Sequence, residues 1–307
     1  MDSELNEYLS EWGERLGLYR GPDFQALPLP ERTRILGPWL VEQSLTMVYA
    51  ERGLGKSMLL LGMAIAVAKG ERFLTYSAGT PQRVLYIDGE MPPRELQSRL
   101  VLLSNGTVPD NLFTVSAPHA FDPWADLNDP FGRTQLDDII RNLKPKVVIL
   151  DNLSTLMPPK RENEADSWVE MQHWLIQKRT RDGLAVVLVH HAGKGGDQRG
   201  SSMHEVVLDT SIRLTKAPIE GGTGEGARFV MQFMKNRHFY GDDAKPMLVE
   251  LTTNEAGAVW TAKPCSEPST EKQAEAKALQ QQGLSQRQIA EKLGVGLGSV
   301  NRMLKAA

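Results

Sequence analysis

One eight-residue run constrains this chain more than any other: Ala50, Glu51, Arg52, Gly53, Leu54, Gly55, Lys56 and Ser57. It fits the pattern G-x-x-x-x-G-K-[ST], with Ala in place of the first Gly. The apolar residues 45–49 before it read as a strand, and residues 57–68 after it as a helix. Gly53 and Gly55 give the turn the freedom to curl backbone N–H groups inward around an anion. The helix N-terminus adds partial positive charge at the same point. The run is therefore expected to cradle a polyphosphate. Lys56 would reach the β- and γ-phosphates, and the Ser57 hydroxyl would ligate Mg²⁺. The alternative is a chance match in a Gly-containing turn.

A strand that ends in such a loop belongs at the carboxyl edge of a parallel sheet. The next apolar runs, at 84–88, 112–116, 147–150 and 185–189, alternate with helical or loop segments, as a parallel sheet covered by helices requires. Val147, Val148, Ile149 and Leu150 are uniformly apolar, which suits a strand buried on both faces. Runs at 209–216 and 228–234, joined by a Gly-rich turn, are expected to extend the sheet as an antiparallel hairpin. A further strand pair follows at 247–251 and 258–262. The expected organisation is an N-terminal arm (1–43), an α/β domain (44–263), a linker (264–270) and a small all-α domain (271–307). In the arm, Leu5, Tyr8, Leu9, Trp12 and Leu16 recur at helical spacing, although Gly13 and Gly17 weaken the pattern. Gly21-Pro22 and Pro28 to Pro30 then read as breaks, and Trp39, Leu40 and Val41 as a cover for one sheet edge.

Composition narrows the class. A net charge of -3 over 307 residues gives no global nucleic-acid signal, so any such contact must be local. Cys265 is the one cysteine, which leaves no intrachain disulfide and no multi-cysteine metal site. Residues 1–7 are acidic and lack the basic and apolar segments of a secretory signal. The longest apolar run, 58–68, is shorter than the roughly 20 residues of a membrane span. A cytoplasmic protein without a membrane partner is expected.

Several residues fall where strands would deliver them to the phosphates. Asp88 and Glu90 follow the 84–88 strand, and ligands of open parallel sheets bind at strand carboxyl ends. A carboxylate there either polarises the water that attacks the γ-phosphate or is a solvated turn residue. Asp151 closes four apolar residues in the Walker B manner and would hold Mg²⁺. Asn152 stands where many such enzymes carry a glutamate, which leaves Glu90 as the candidate base. His190 and His191 end the 185–189 strand; one of them either senses the γ-phosphate or is structural. Lys235 and Arg237 suit phosphate oxygens, or are an ordinary basic strand end.

In this order, residues 84–91, the Asp151 strand, His190 and His191 with 199–202 behind them, and Lys235 with Arg237 resemble the RecA-like ATPases of the plasmid replicative helicase RepA group. The resemblance covers roughly residues 25–255. It implies a homo-hexameric ring with ATP and Mg²⁺ between subunits. Glu90 would be the catalytic glutamate and Asp151 the Walker B aspartate. One of the two histidines would couple the γ-phosphate to DNA loops, and Lys235 and Arg237 would act in trans on the neighbour's γ-phosphate. Lys160 and Arg161 after the Asp151 strand, and Lys194 and Arg199 after the histidines, lie in loops expected to touch single-stranded DNA. The alternative is solvated surface loops, since neither contains an aromatic for stacking.

Residues 271–282, 286–293 and 297–305 read as three helices, with Ser285 capping the second and Gly294 turning into the third. Basic residues outnumber acidic ones two to one in 271–307. Residues 283–304 look like the DNA-binding helix-turn-helix of resolvases. That resemblance would put Ser299, Asn301 and Arg302 in the major groove of duplex DNA. A helical protein-docking module is the alternative. Together these features predict a DNA-dependent ATPase, a ring-forming helicase or translocase. The competing class is an ATP-switched DNA-binding regulator or mediator that unwinds nothing.

Overall fold

The computed structural model describes residues 2–120, 126–157, 164–192, 206–217, 226–254, 257–265, 268–293, 300–301 and 303–304. They fall into two compact units, Met1–Thr33 and Arg34–Ala307. In the first, α1 (Asp2–Leu16) runs through Gly13 and stops at Gly17, whose left-handed φ of 65° lets Leu18 N return to the Gly13 carbonyl at 3.0 Å. Tyr8 and Trp12 stack one turn apart, with the Arg15 guanidinium over the indole. The expected break at Gly21-Pro22 is instead the start of a short helix, α2 (Gly21–Ala26). Proline is tolerated in a first helical turn, because the N–H it lacks would have no partner there.

The second unit is built on one sheet. It opens with a small antiparallel pair, β1 (Arg34–Leu36) and β2 (Leu40–Val41). Then come β3 (Ser44–Ala50), α3 (Lys56–Lys69), β4 (Val84–Asp88), α4 (Pro93–Leu103), β5 (Leu112–Ser116) and α5 (Pro130–Leu143). Next are β6 (Val147–Asp151), α6 (Leu153–Leu156), α7 (Glu164–Thr180) and β7 (Ala185–His191). The antiparallel part is β8 (Thr210–Lys216), β9 (Arg228–Asn236), β10 (Met247–Asn254) and β11 (Gly257–Pro264). Among the described residues nine strands make one sheet, ordered β11-β10-β9-β8-β3-β7-β6-β4-β5. From β8 to β5 all pairs are parallel; β9, β10 and β11 continue antiparallel. This is the mixed α/β architecture the alternating runs predict.

The uniform apolarity of the central strands follows from two buried faces. In β6, Val147 and Ile149 join the core under α3 and α4, while Val148 and Leu150 join the core under α5 and α7. Trp39 does not cover an edge strand: it packs on Tyr76 and on Phe233 of β9, with centroids 6.3 and 6.4 Å away. The antiparallel strands curl back over α3. A Cβ on Gly62 would sit 2.6 Å from the Trp260 indole nitrogen of β11. Ala258 N donates to Asn105 Oδ1, just beyond α4, at 2.9 Å. The P-loop helix is thus enclosed by the sheet it leaves.

At the C-terminal end, α8 (Pro268–Gln281) and α9 (Gln286–Leu293) share a small core of Ala276, Leu279, Ile289, Leu293 and Val300. Ser285 and Gln288 cap α9 reciprocally. The expected turn at Gly294 lies outside the described residues, as does most of the expected third helix. Among the described residues no helix is long and apolar enough to cross a membrane.

Candidate nucleotide-binding site

The loop 50–57 joins the carboxyl end of β3 to α3, and its glycines carry the turn. Gly53 and Gly55 have φ of 75° and 98°, a region that L side chains rarely enter. A Cβ on Gly55 would also sit 2.7 Å from the Ala227 Cβ. The buried Lys56 ammonium donates to the carbonyls of Ala50 (3.1 Å) and Glu51 (2.9 Å). Burial lowers its pKa, against the raising fields of Asp151 and Glu90. Glu51 itself points to Lys216, at 3.3 Å. Arg52 lines the cleft in front of the loop.

Tyr86, Asp88 and Asp151 project to the α3 side of adjacent parallel strands, with Asp88 and Asp151 in register. Asp151 accepts from the Tyr86 hydroxyl at 2.5 Å and from Ser57. Its burial pushes the carboxyl up, and those two donors pull it back. A hydroxyl and a carboxylate side by side are the few oxygen donors Mg²⁺ takes from protein when phosphates and water fill the rest. Asp88 is used differently: its Oδ1 accepts from Glu90 N (2.9 Å) and Met91 N (2.6 Å), folding the turn that presents Glu90. Glu90 is exposed, and its Oε2 accepts from Asn152 Nδ2 at 2.7 Å.

The histidines separate. His191 pairs in register with Ala50 and lines the cleft, whereas His190 is set against Tyr49 and does not. Burial, then the charges of Lys56 and Arg52, depress the His191 pKa to about 4, so it is neutral at pH 7. Its Nδ1 has no hydrogen-bond partner among the described residues.

Lys235 and Arg237 are not brought to this cleft. In β9, Lys235 pairs with Ser211, and Arg237 N bonds to Asp209 O, beside Leu45 at the start of β3. Five strand residues, about 16 Å, separate that level from Ala50. Lys160, Arg161, Lys194, Arg199, Ser299 and Arg302 lie outside the described residues, and Asn301 is exposed.

The cleft, of about 620 Å³, is roomy enough for a nucleoside triphosphate. Some of its walls escaped the sequence reading. Arg99 and Leu102 face it from α4, because Leu96, Leu100 and Leu103 take the buried side of that helix. Helical periodicity could have marked them. Ala227, Leu251 and Thr253 close the other side. Only the curl of the antiparallel strands brings them there, and no local pattern signals it.

Among known proteins, residues 20–197 match the family described as AAA domain. The DNA repair protein RadA of Streptococcus pyogenes serotype M6 is 28% identical over 187 residues, covering 60% of this chain and 36% of that protein. RadA of Synechocystis sp. is 27% identical over 190 residues, covering 59% and 35%. The chain thus spans about a third of the length of these relatives. In fold it is similar to a KaiC-like protein from Pyrococcus horikoshii OT3, with a TM-score of 0.52 at 13% identity over 75% of this chain and 98% of that one. With a nucleotide loop, a buried carboxylate beside its serine and a parallel sheet that delivers both, the chain belongs to the AAA domain family and is a P-loop ATPase of RecA-like fold.

Proposed function

We propose that the chain is a DNA-dependent ATPase that works as a ring, a helicase or translocase on single-stranded DNA. The N–H groups of the loop and Lys56 hold the phosphates of ATP, with Lys56 exchanging its two carbonyl contacts for phosphate oxygens. Ser57 and Asp151 would hold Mg²⁺, which would supply charge neutralisation at the β- and γ-phosphates. Glu90 takes a proton from the attacking water. Neutral His191 offers a ring nitrogen toward the γ-phosphate side of the cleft.

One observation carries the ring: Arg237, held near Leu45, is a strand length away from its own loop. If it and Lys235 serve ATP, they serve that of another copy. DNA as the stimulus draws on the name of the RadA relatives, DNA repair proteins. It also draws on the motif order shared with plasmid replicative helicases. Lys160, Arg161, Lys194 and Arg199 are the residues assigned to single-stranded DNA. The test is ATP hydrolysis with and without single-stranded DNA, for wild type and Glu90→Gln, while oligomer mass is followed. Stimulation that Glu90→Gln abolishes, in a ring-sized assembly, is expected. Slow hydrolysis indifferent to DNA would sink the motor.

A second reading, an ATP-switched DNA-binding mediator that unwinds nothing, is favoured by the α8–α9 pair with its own core and reciprocal cap. There Ser299, Asn301 and Arg302 would read duplex DNA as part of a helix-turn-helix. Strand displacement by the full chain separates the two readings.

A further inference from the structure

Asn152 occupies an N-cap position, yet its side chain caps nothing. It precedes α6 with extended φ and ψ of -124° and 167°, where Asn ordinarily accepts from a backbone N–H of the first turn. Here only its main-chain carbonyl serves α6, taking Thr155 N at 3.2 Å, Leu156 N at 3.1 Å and Thr155 Oγ1 at 3.0 Å. The side chain, in a residue 2% exposed, turns to the cleft. Its Nδ2 donates to Glu90 Oε2 at 2.7 Å, which fixes the amide orientation, since a carboxylate only accepts. Its Oδ1 is buried and accepts nothing from any described residue. A buried acceptor without a donor is costly and uncommon. This one belongs to the amide that already grips the candidate base.

We propose that Asn152 is a positioning residue for the base: its Nδ2 holds the Glu90 carboxylate where it meets the attacking water, while its Oδ1 stays shut away from the cleft. This rests on the reading of Glu90 as the base. In the step, the water oxygen bonds to the γ-phosphorus as the bond to the β–γ bridging oxygen breaks. That electron pair leaves on ADP. One water proton passes to Glu90, and the other stays on the released phosphate. Held by the amide, the carboxylate engages one water hydrogen in a fixed direction, so a lone pair faces the phosphorus. Such orientation acts on turnover rather than on ATP affinity. The Gly89 turn is held to the same segment, through Gly89 N to Asp151 O at 2.8 Å. A Cβ on Gly89 would strike Thr155 of α6 at 2.4 Å. Base and amide therefore keep their spacing through backbone contacts.

The test uses the full chain with Mg²⁺. Single-turnover ATP hydrolysis and binding of a fluorescent non-hydrolysable ATP analogue are measured for wild type, Asn152→Ala, Asn152→Asp and Glu90→Gln. Asn152→Asp keeps the shape and the acceptor but loses the N–H that holds Glu90, so it guards against a variant that merely misfolds. Both Asn152 variants are expected to hydrolyse about ten- to a hundredfold more slowly, with analogue affinity kept within about threefold. Hydrolysis by both near the wild-type rate, with Glu90→Gln inactive, overturns the role of Asn152 alone. Affinity lost in step with rate overturns it too, because Asn152 would then shape the pocket only. Normal hydrolysis by Glu90→Gln overturns the reading of the base itself.

Discussion

Arg237 is held by Asp209: its guanidinium lies 3.8 Å from Asp209 Oδ1, and its backbone N–H donates to the Asp209 carbonyl at 3.1 Å. The same buried carboxylate accepts from Leu45 N at 2.9 Å and meets Arg179 of α7 at 3.4 Å and His238 at 3.3 Å. Arg237 also donates to the Val206 carbonyl at 3.0 Å. One aspartate thus joins the entry of β3, the end of α7 and the basic segment after β9. Replacing it with Asn leaves some of these donors without an acceptor. Asp209→Asn should lower unfolding free energy by about 2–3 kcal/mol, read as a reduced urea midpoint at an unchanged slope. A midpoint equal to wild type would show the cluster to be surface decoration.

The link between Tyr86 and Asp151 predicts a defect in metal use. Tyr86 is fully buried, and its hydroxyl keeps the Asp151 carboxyl from rising further. In Tyr86→Phe a proton competes better with Mg²⁺ for that carboxylate. The Mg²⁺ needed for half-maximal nucleotide binding should rise several-fold, while binding without Mg²⁺ stays the same. Equal Mg²⁺ titrations for the two proteins would disprove the link.

The loop's glycines were legible, and so were the central strands, for a physical reason. A strand buried on both faces must be apolar throughout, and a polyphosphate turn must have Gly at positive φ; both requirements are local. Other features depend on distant pairings. Nothing near Trp260 announces that it lies on Gly62, because sheet curl is a property of several strands together. Asp88 read as a group facing the nucleotide, and it does line the cleft; that its Oδ1 also folds the turn at Glu90 and Met91 was not legible. Asn152 looked like the absence of a glutamate; its bond to Glu90 appears only once β4 and β6 are adjacent. Gly21-Pro22 read as a break because Pro stops helices, yet it also starts them.

Gly55→Ala should fail on two counts. The backbone φ of 98° is strained for Ala, and the new methyl would press on Ala227 at 2.7 Å. A stability loss of about 1–3 kcal/mol is expected. The thermal shift that ATP gives the wild type should shrink as well, since the N–H groups around residue 55 would no longer converge. A full ATP-induced shift in Gly55→Ala would contradict this geometry.

His191 makes stability depend on pH. Its folded pKa, about 4, lies below the ordinary value of 6.5. The unfolded chain therefore binds the proton more readily, and stability rises with pH across that window. The contribution is present above about pH 6.5 and is lost as pH falls toward 4. His191→Gln, neutral throughout, should show a flatter decline between pH 7 and pH 4 in urea unfolding than the wild type does. Parallel declines would mean that His191 is as easily protonated folded as unfolded.

The position of Arg237 predicts complementation between copies. Lys56→Ala spoils a subunit's own loop and leaves its Arg237 intact; Arg237→Ala does the reverse. If Arg237 acts across an interface, each variant alone is inactive, but a mixture builds sites from one subunit's sound loop and its neighbour's sound arginine. In a head-to-tail ring assembled at random from equal amounts, about a quarter of the sites are of that kind. Mixing should therefore restore a clear fraction of wild-type hydrolysis, provided the subunits are exchanged before ATP is added. A mixture as inactive as its components would place Arg237 in structural duty beside Asp209, where its bonds to Val206 and Asp209 already hold it.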